Sequence, residues 1–400
     1  MPSLTRRDDR NNAFCFSSRI DVKKMPDKTR PPDRLQPLAF GRYTNWLRLL
    51  LDAGRIDLRY MPRALFVSTV SFLTIPIRLF EWARYGATLK QIEIEHPPVF
   101  IIGHWRSGTT LLHNLMSLDE NLGYVTMYQT IAPDFFLVAT RFVKRMIARA
   151  MPAKRVMDNM AWNIELPQEE EFALANISPY SFYHHWSFPR KASEYFRKYA
   201  IFEDVPRSTV QRWQRSYLSI LKKATLKHRG KPLVIKNPTN TGRIRVLLEL
   251  FPQARFIHIY RNPYIVFLST KRLYQKTLAI TQLQEIGPQE VEHNILRFYQ
   301  KIMQRFLEDK ALIPPENLVE VRFEDLEARP LQELQRIYAA LRLPGFEQLE
   351  PVWRAYLEAQ RGYRKNVYRI EREDIEKVNR WWRFALERWG YSLPAKADTI

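Results

Sequence analysis

Cysteine is almost missing from this chain: Cys15 is the only one in 400 residues. A single thiol cannot close a disulfide within the chain, and a cysteine-based metal site is excluded with it. His184 and His185 are adjacent but lack acidic or cysteine partners at ligand spacing, so no metal is expected. The chain opens without an apolar run, so no cleaved secretory signal is expected. The uncharged run at 64–77 (ALFVSTVSFLTIPI) is too short to cross a bilayer and carries Pro76 near its end. No internal repeat stands out, and no nucleic-acid motif accompanies the charge, so a nucleic-acid partner is not expected. Nothing demands an oxidising compartment; the expected location is the cytoplasm or the cytoplasmic face of a membrane.

Positive charge is abundant. Lys and Arg number 63 against 42 Asp and Glu, a formal net charge of +21. Such an excess favours an anionic ligand, a membrane surface or nucleic acid without choosing among them. Four hundred residues can hold one large α/β domain or two ordinary ones.

Residues 1–37 are basic, proline-containing and without hydrophobic periodicity, which reads as a flexible tail. Residues 41–58 are helical in pattern, with Trp46, Leu47, Leu49, Leu50 and Leu51 forming a broad apolar face. With a second helix over 65–85 they make a helical N-terminal appendage, 38–91, ahead of an α/β domain over 92–400. Arg59 and Arg63 precede the run at 64–77, and Arg78, Trp82 and Arg84 follow it. That pattern suits an interfacial helix on an anionic membrane and, equally, a helix packed on the protein's own core. Residues 141–155 form a basic amphipathic helix, which fits either a membrane or acidic substrate, or a solvated outer face. The aromatic stretch at 177–187 (ISPYSFYHHWS) fits a pocket for a hydrophobic acceptor or plain core.

Four short apolar runs read as buried strands: Val99–Ile102, 233–236, 256–260 and 318–321. Helical patterns follow them, at 111–116, 243–250, 266–274 and from 323 through 341. Alternating strands and helices predict an α/β fold with a mainly parallel central sheet flanked by helices. Right-handed crossovers bring the strand C-terminal ends to one edge, where ligands bind in open α/β sheets.

The first of those strand ends is the most informative. Residues 98–116 read PVFIIGHWRSGTTLLHNLM: strand, small-residue loop, helix. This layout presents backbone N–H groups and a helix N-terminus to an anion, or serves only as a tight corner. The full GxxxxGK[ST] spacing is lacking, so an ordinary ATP or GTP site is not the first reading. Lys236 and Arg261 stand at two further strand ends. Glu169, Glu170 and Glu171 follow Pro167, an ordinary acidic helix start and also the best acidic cluster near an aromatic segment.

Arg106-Ser-Gly-Thr-Thr resembles the phosphosulfate loop of the sulfotransferases, and FIHIYRNPYIVFLST matches their Arg-Asn-Pro turn with a serine eight residues after the arginine. The phrases GHWRSGTTLLH and KNPTNTGR are similar to the bacterial-type members, over roughly residues 97–390. The resemblance implies a P-loop-like sulfotransferase fold and sulfuryl transfer from 3′-phosphoadenosine 5′-phosphosulfate (PAPS), without a metal, to a hydroxyl (or an amine) of a hydrophobic, lipid-like acceptor. It implies that Arg106, Ser107, Gly108, Thr109 and Thr110 hold the 5′-phosphosulfate, that Arg261 and Ser269 bind the 3′-phosphate, and that Lys236 stabilises the leaving oxygen. Arg364 and Lys365 look like the family's basic loop over the 3′-phosphate, although its usual glycine is replaced by Asn366. Soluble animal members carry a histidine two residues after the lysine; Pro238 stands there instead. A base from Glu169, Glu170 or Glu171 is the natural substitute, with His104 and His113 as further candidates. Glu324 and Asp325 read as helix-entry acids. Two rivals remain open: a kinase-like phosphotransferase, and a basic membrane binder on an inactive scaffold of the same fold. The sequence does not fix the oligomeric state.

Overall fold

A computed structural model describes residues 36–139, 141–150, 163–360 and 368–392. The tail at 1–37 lies outside them except for Gln36 and Pro37, as do Arg364 and Lys365.

Four strands form one sheet: β1 (Val99–Ile102), β2 (Val234–Lys236), β3 (Arg255–Tyr260) and β4 (Leu318–Arg322). Their order is β2-β1-β3-β4 and every pairing is parallel. Val99 to Ile102 are all buried, as expected of a central parallel strand covered on both faces. Side chains alternate between those faces. Phe100, Ile102, Ile235 and Phe256 join the larger apolar cluster, while Val99, Ile101, Val234, Ile257 and Ile259 join the other.

Chain order and sheet order together place a switch point. The chain leaves β1 for β2 on one side, then returns to β3 on the other side of β1. The loops after β1 and β3 therefore open side by side at the carboxyl edge, the position at which α/β sheets form a ligand crevice. The α/β fold with a mainly parallel sheet is as the sequence predicts.

Several helix limits differ from expectation. The first helix is Tyr43–Asp52 rather than 41–58, because Gly54 turns the chain with φ +85°. The expected helix over 65–85 is two helices, Met61–Leu73 and Ile75–Gln91, broken at Thr74. Pro76 lies in the first turn of the second, where its missing N–H breaks no intrahelical bond. The helix after β3 runs Pro263–Thr281, beyond 266–274 at both ends, with Pro263 at its start. Leu38, Trp46, Leu49, Ala64 and Val67 enter the same apolar cluster as the sheet, so the N-terminal helices share its core.

Candidate active site

The loop after β1 is held in a shape that its small residues permit. Gly103 has φ +138°, and a Cβ there would come 2.2 Å from the Ile259 carbonyl oxygen. Its N–H donates to Thr241 Oγ1 at 2.8 Å, and that hydroxyl donates back to the Gly103 carbonyl at 3.2 Å. Arg106 adopts a left-handed backbone, φ 72°, which turns the loop into the helix Thr109–Met116. Gly108 caps that helix with φ +95°, and a Cβ on it would sit 2.1 Å from the Phe323 ring. The first N–H groups of the helix have no intrahelical partner and face the loop.

Three sequence-predicted residues meet here, Arg106 and Arg261 from two loops and Ser269 from the helix Pro263–Thr281. Arg106 donates from Nε to Ser269 Oγ at 2.8 Å, and Tyr368 donates to the same oxygen at 3.0 Å. Arg261 donates from Nη1 to the Arg106 carbonyl at 3.3 Å, with its guanidinium 4.2 Å from the Phe323 ring centre. Arg261 Nε is buried without a hydrogen-bond partner among the described residues. Burial lowers the Arg261 pKa from its ordinary value, against the pull of Glu327 and Glu324. A buried guanidinium N–H beside a glycine-shaped loop suits an anionic group. Glu324 lies in the first turn of the helix Phe323–Ala328, as expected, and accepts from the Asn262 N–H at 3.1 Å and from Tyr391 Oη at 2.8 Å.

Lys236 ends β2 in register with Ile101. It is buried and ion-paired with Glu169, which also accepts the Tyr183 hydroxyl. Trp105, from the β1 loop, donates Nε1 to Tyr183 Oη at 2.9 Å. A continuous chain of polar contacts thus runs Trp105–Tyr183–Glu169–Lys236.

The three glutamates open a helix as the sequence suggests: Glu169 caps the helix Glu170–Ile177. Their environments diverge. Glu170 is fully buried and accepts from Tyr217 (2.8 Å), Asn240 (2.9 Å) and Asn237 (3.0 Å). Burial, assisted by the neighbouring Glu171 charge, pushes its carboxyl up to about 7 against those hydrogen bonds. Glu171 meets the fully buried Arg243 through both terminal nitrogens, at 2.5 and 3.0 Å, and also accepts from Ser181 and Asn237. Burial opposes its ionisation, yet the Arg243 charge and these bonds hold it below the ordinary value.

His104, His113, His184 and His185 are buried, and burial disfavours the charged form of each. Burial takes His104 down to about 3, while burial and then the Lys236 charge take His113 well below its ordinary value. His184 and His185 fall to about 4 and about 3, and no group of three or more metal-ligating side chains occurs among the described residues. Sequence reading overlooked Trp105, Tyr217, Asn237, Asn240 and Arg243 as parts of this network. For Asn237, Asn240 and Arg243 the signal was the polar run NPTNTGR directly after a buried strand, since such a run needs internal partners; Trp105 and Tyr217 carried no such signal.

A profile of the sulfotransferase family matches residues 97–348. The omega-hydroxy-beta-dihydromenaquinone-9 sulfotransferase Stf3 of Mycobacterium bovis is 33% identical over 357 residues, covering 89% of this chain and 91% of that protein. The protein of the same name from Mycobacterium tuberculosis matches to the same extent. Among solved structures, sulfotransferase STF9 from Mycobacterium avium superposes with a TM-score of 0.64 at 17% identity, covering 88% of this chain and 97% of that one. Sulfotransferase STF1 from M. tuberculosis gives 0.60 at 18% identity over 79% and 88%. These two likenesses bear on the fold, and the profile and the curated relatives on descent: the chain belongs to the sulfotransferase family.

Proposed function

We propose that the protein transfers a sulfuryl group from PAPS to a hydroxyl of a hydrophobic lipid. The observation that carries this reading is the direct bond between the two anion-binding elements, Arg106 Nε to Ser269 Oγ, with Arg261 on the Arg106 carbonyl. Arg106 and the N–H groups of Ser107, Gly108, Thr109 and Thr110 suit the 5′-phosphosulfate, and Arg261 with Ser269 suits the 3′-phosphate.

Lys236 would neutralise charge on the phosphate oxygen as the S–O bond breaks and the electron pair passes to that oxygen. Glu169 is assigned as the base that takes the acceptor proton as the new O–S bond forms. Of the three glutamates it alone touches Lys236, whereas Glu170 and Glu171 are consumed by interior partners. A lipid hydroxyl is supported by the activity for which the Stf3 relatives are named and by the aromatic surroundings of Tyr183, including Phe172 and Trp186.

Titration calorimetry with 3′-phosphoadenosine 5′-phosphate tests the nucleotide site. Arg261→Ala should weaken binding at least about tenfold, since each charge-assisted bond contributes roughly 1.5–3 kcal/mol. Glu169→Gln should bind normally and lose about 10²–10⁴ in transfer from labelled PAPS to a lipid extract. Equal binding by wild type and Arg261→Ala would sink the nucleotide assignment; full turnover by Glu169→Gln would remove the base.

A further inference from the structure

The helices Met61–Leu73 and Ile75–Gln91 form an elbow, bent by 40° at Thr74, with two unlike sides. One side is fixed to the body. Ala64, Val67 and Ser71 are buried, and Trp46 donates Nε1 to Ser68 Oγ at 2.8 Å. Arg63 reaches the Ala279 and Gln282 carbonyls at 3.0 and 3.3 Å. Glu81, 2% exposed, pairs with Lys223 at 2.6 Å and accepts the Leu137 N–H at 2.7 Å.

The other side is bare and apolar. Leu65, Phe72, Leu73, Leu79, Phe80 and Trp82 are each between 57 and 73% exposed. Positions 65, 72 and 79 repeat at seven, two helical turns, so the stripe follows one side across the bend. Large neighbouring apolar side chains left in water mark an interaction surface.

Its surroundings identify what covers it. Residues 42–90 carry eight Arg and Lys against three acids. Two of those acids are committed, Glu81 to Lys223 and Asp57 to Arg190, and two of the cations likewise, Arg42 to Asp134 and Arg59 to Glu285, while Arg84 and Lys90 stand exposed beside the stripe. A second, separate element adds charge. The helix Arg141–Ala150 packs Ile147 into the apolar cluster that Ile77 joins, and it leaves Arg145 and Arg149 exposed. An apolar stripe rimmed by cations, with a tryptophan on it, complements the headgroup boundary of an anionic bilayer.

We infer that this elbow is a membrane-docking surface that seats the protein on an anionic lipid bilayer, in the plane of the interface and without crossing it. A crossing would strip Glu81 from Lys223 and Ser68 from Trp46, and would carry the Glu81 charge into hydrocarbon. The inference rests on the proposed lipid acceptor and supplies its route. Asn45 Nδ2 donates to the Ala175 carbonyl at 2.8 Å, and the Arg42 N–H to the Asn176 carbonyl at 2.7 Å. The N-terminal helices thereby grip the far end of the eight-residue helix that begins beside Glu169, about 12 Å from the candidate base.

The test is co-sedimentation of the full chain with vesicles of phosphatidylcholine alone, or of phosphatidylcholine with phosphatidylglycerol. Wild type should bind the anionic vesicles, lose binding in high salt and come off in alkaline carbonate. The triple variant Phe72→Ser/Phe80→Ser/Trp82→Ser should bind about tenfold less while keeping its melting temperature and its affinity for 3′-phosphoadenosine 5′-phosphate. Arg145→Glu/Arg149→Glu should lose the preference for anionic over neutral vesicles. Absence of vesicle binding by wild type, unchanged binding by the triple variant, or retention in carbonate each overturns the proposal. A wild-type dimer that the triple variant converts to monomer, without vesicle binding, would assign the stripe to a second copy instead. Nucleotide binding is read separately, so its failure in wild type would sink the sulfuryl-transfer reading and leave the vesicle result standing.

Discussion

Glu169, Glu170 and Glu171 are chemically identical and adjacent, yet the chain passes from an extended Glu169 into the helix at Glu170 and hands each to a different neighbourhood. Glu169 meets Lys236, Glu171 meets Arg243, and Glu170 meets three neutral donors. A buried carboxylate with a bidentate arginine is stabilised as an ion; one with neutral donors is stabilised less. That difference gives a measurable pH signature. The folded-state value for Glu170, about 7, stands above the ordinary 4.5, so between those values the folded chain holds a proton that the unfolded chain has released. Stability from this group is complete below pH 4.5 and is lost as pH rises through 7, by about 3 kcal/mol. Glu170→Gln should remove that fall. Urea unfolding at pH 5 and pH 8 should show the variant gaining on wild type at the higher pH, and parallel curves would refute the assignment. The sequence displayed the cluster and its helix start. It could not apportion roles, because partners such as Arg243 and Asn237 lie more than sixty residues away and reach the helix only after folding.

At the scale of single elements, the strands were legible to within a residue, because a parallel strand covered on both faces must be continuously apolar over its few residues. Helix limits were less so. Proline inside an apolar pattern reads as a terminus, and Pro263 and Pro76 both stand at true helix starts, yet the helix from Pro263 runs on to Thr281 through mixed residues whose periodicity is weak. The β1 loop was legible from composition, but the reasons for its glycines were not. Gly108 faces Phe323, which is supplied by the segment after β4 and which also underlies the Arg261 guanidinium. The glycine, the ring and the cation form one stack. Gly108→Ala should therefore strain a left-handed backbone and drive the ring against Arg261. It should lower stability by at least about 1 kcal/mol and weaken binding of 3′-phosphoadenosine 5′-phosphate, measured together by chemical unfolding and calorimetry. A variant of unchanged stability and affinity would show that the stack yields freely.

Strand order belongs to the whole molecule, and no local pattern encodes it. The motifs at residues 106, 236 and 261 were visible as three basic strand ends, whereas their convergence depends on β1 lying between β2 and β3. That order sets Lys236 on one flank of the β1 loop and Arg261 on the other. A nucleotide bearing phosphates at both ends would bridge the two flanks and lock β1, β2 and β3 against one another, so its binding should register in global stability. At a hundred times its dissociation constant, a ligand that binds only the folded chain stabilises it by about 2.7 kcal/mol. Thermal scans with 3′-phosphoadenosine 5′-phosphate at that excess should raise Tm in wild type and in Glu169→Gln, whose substitution spares the anion-binding groups. In Arg261→Ala at the same nucleotide concentration the rise should shrink, because a guanidinium no longer meets the phosphate. Raised salt should shrink it in wild type as well, because attraction between the remaining charges is screened. A full rise in Arg261→Ala would place the bound nucleotide away from the β1–β3 switch point.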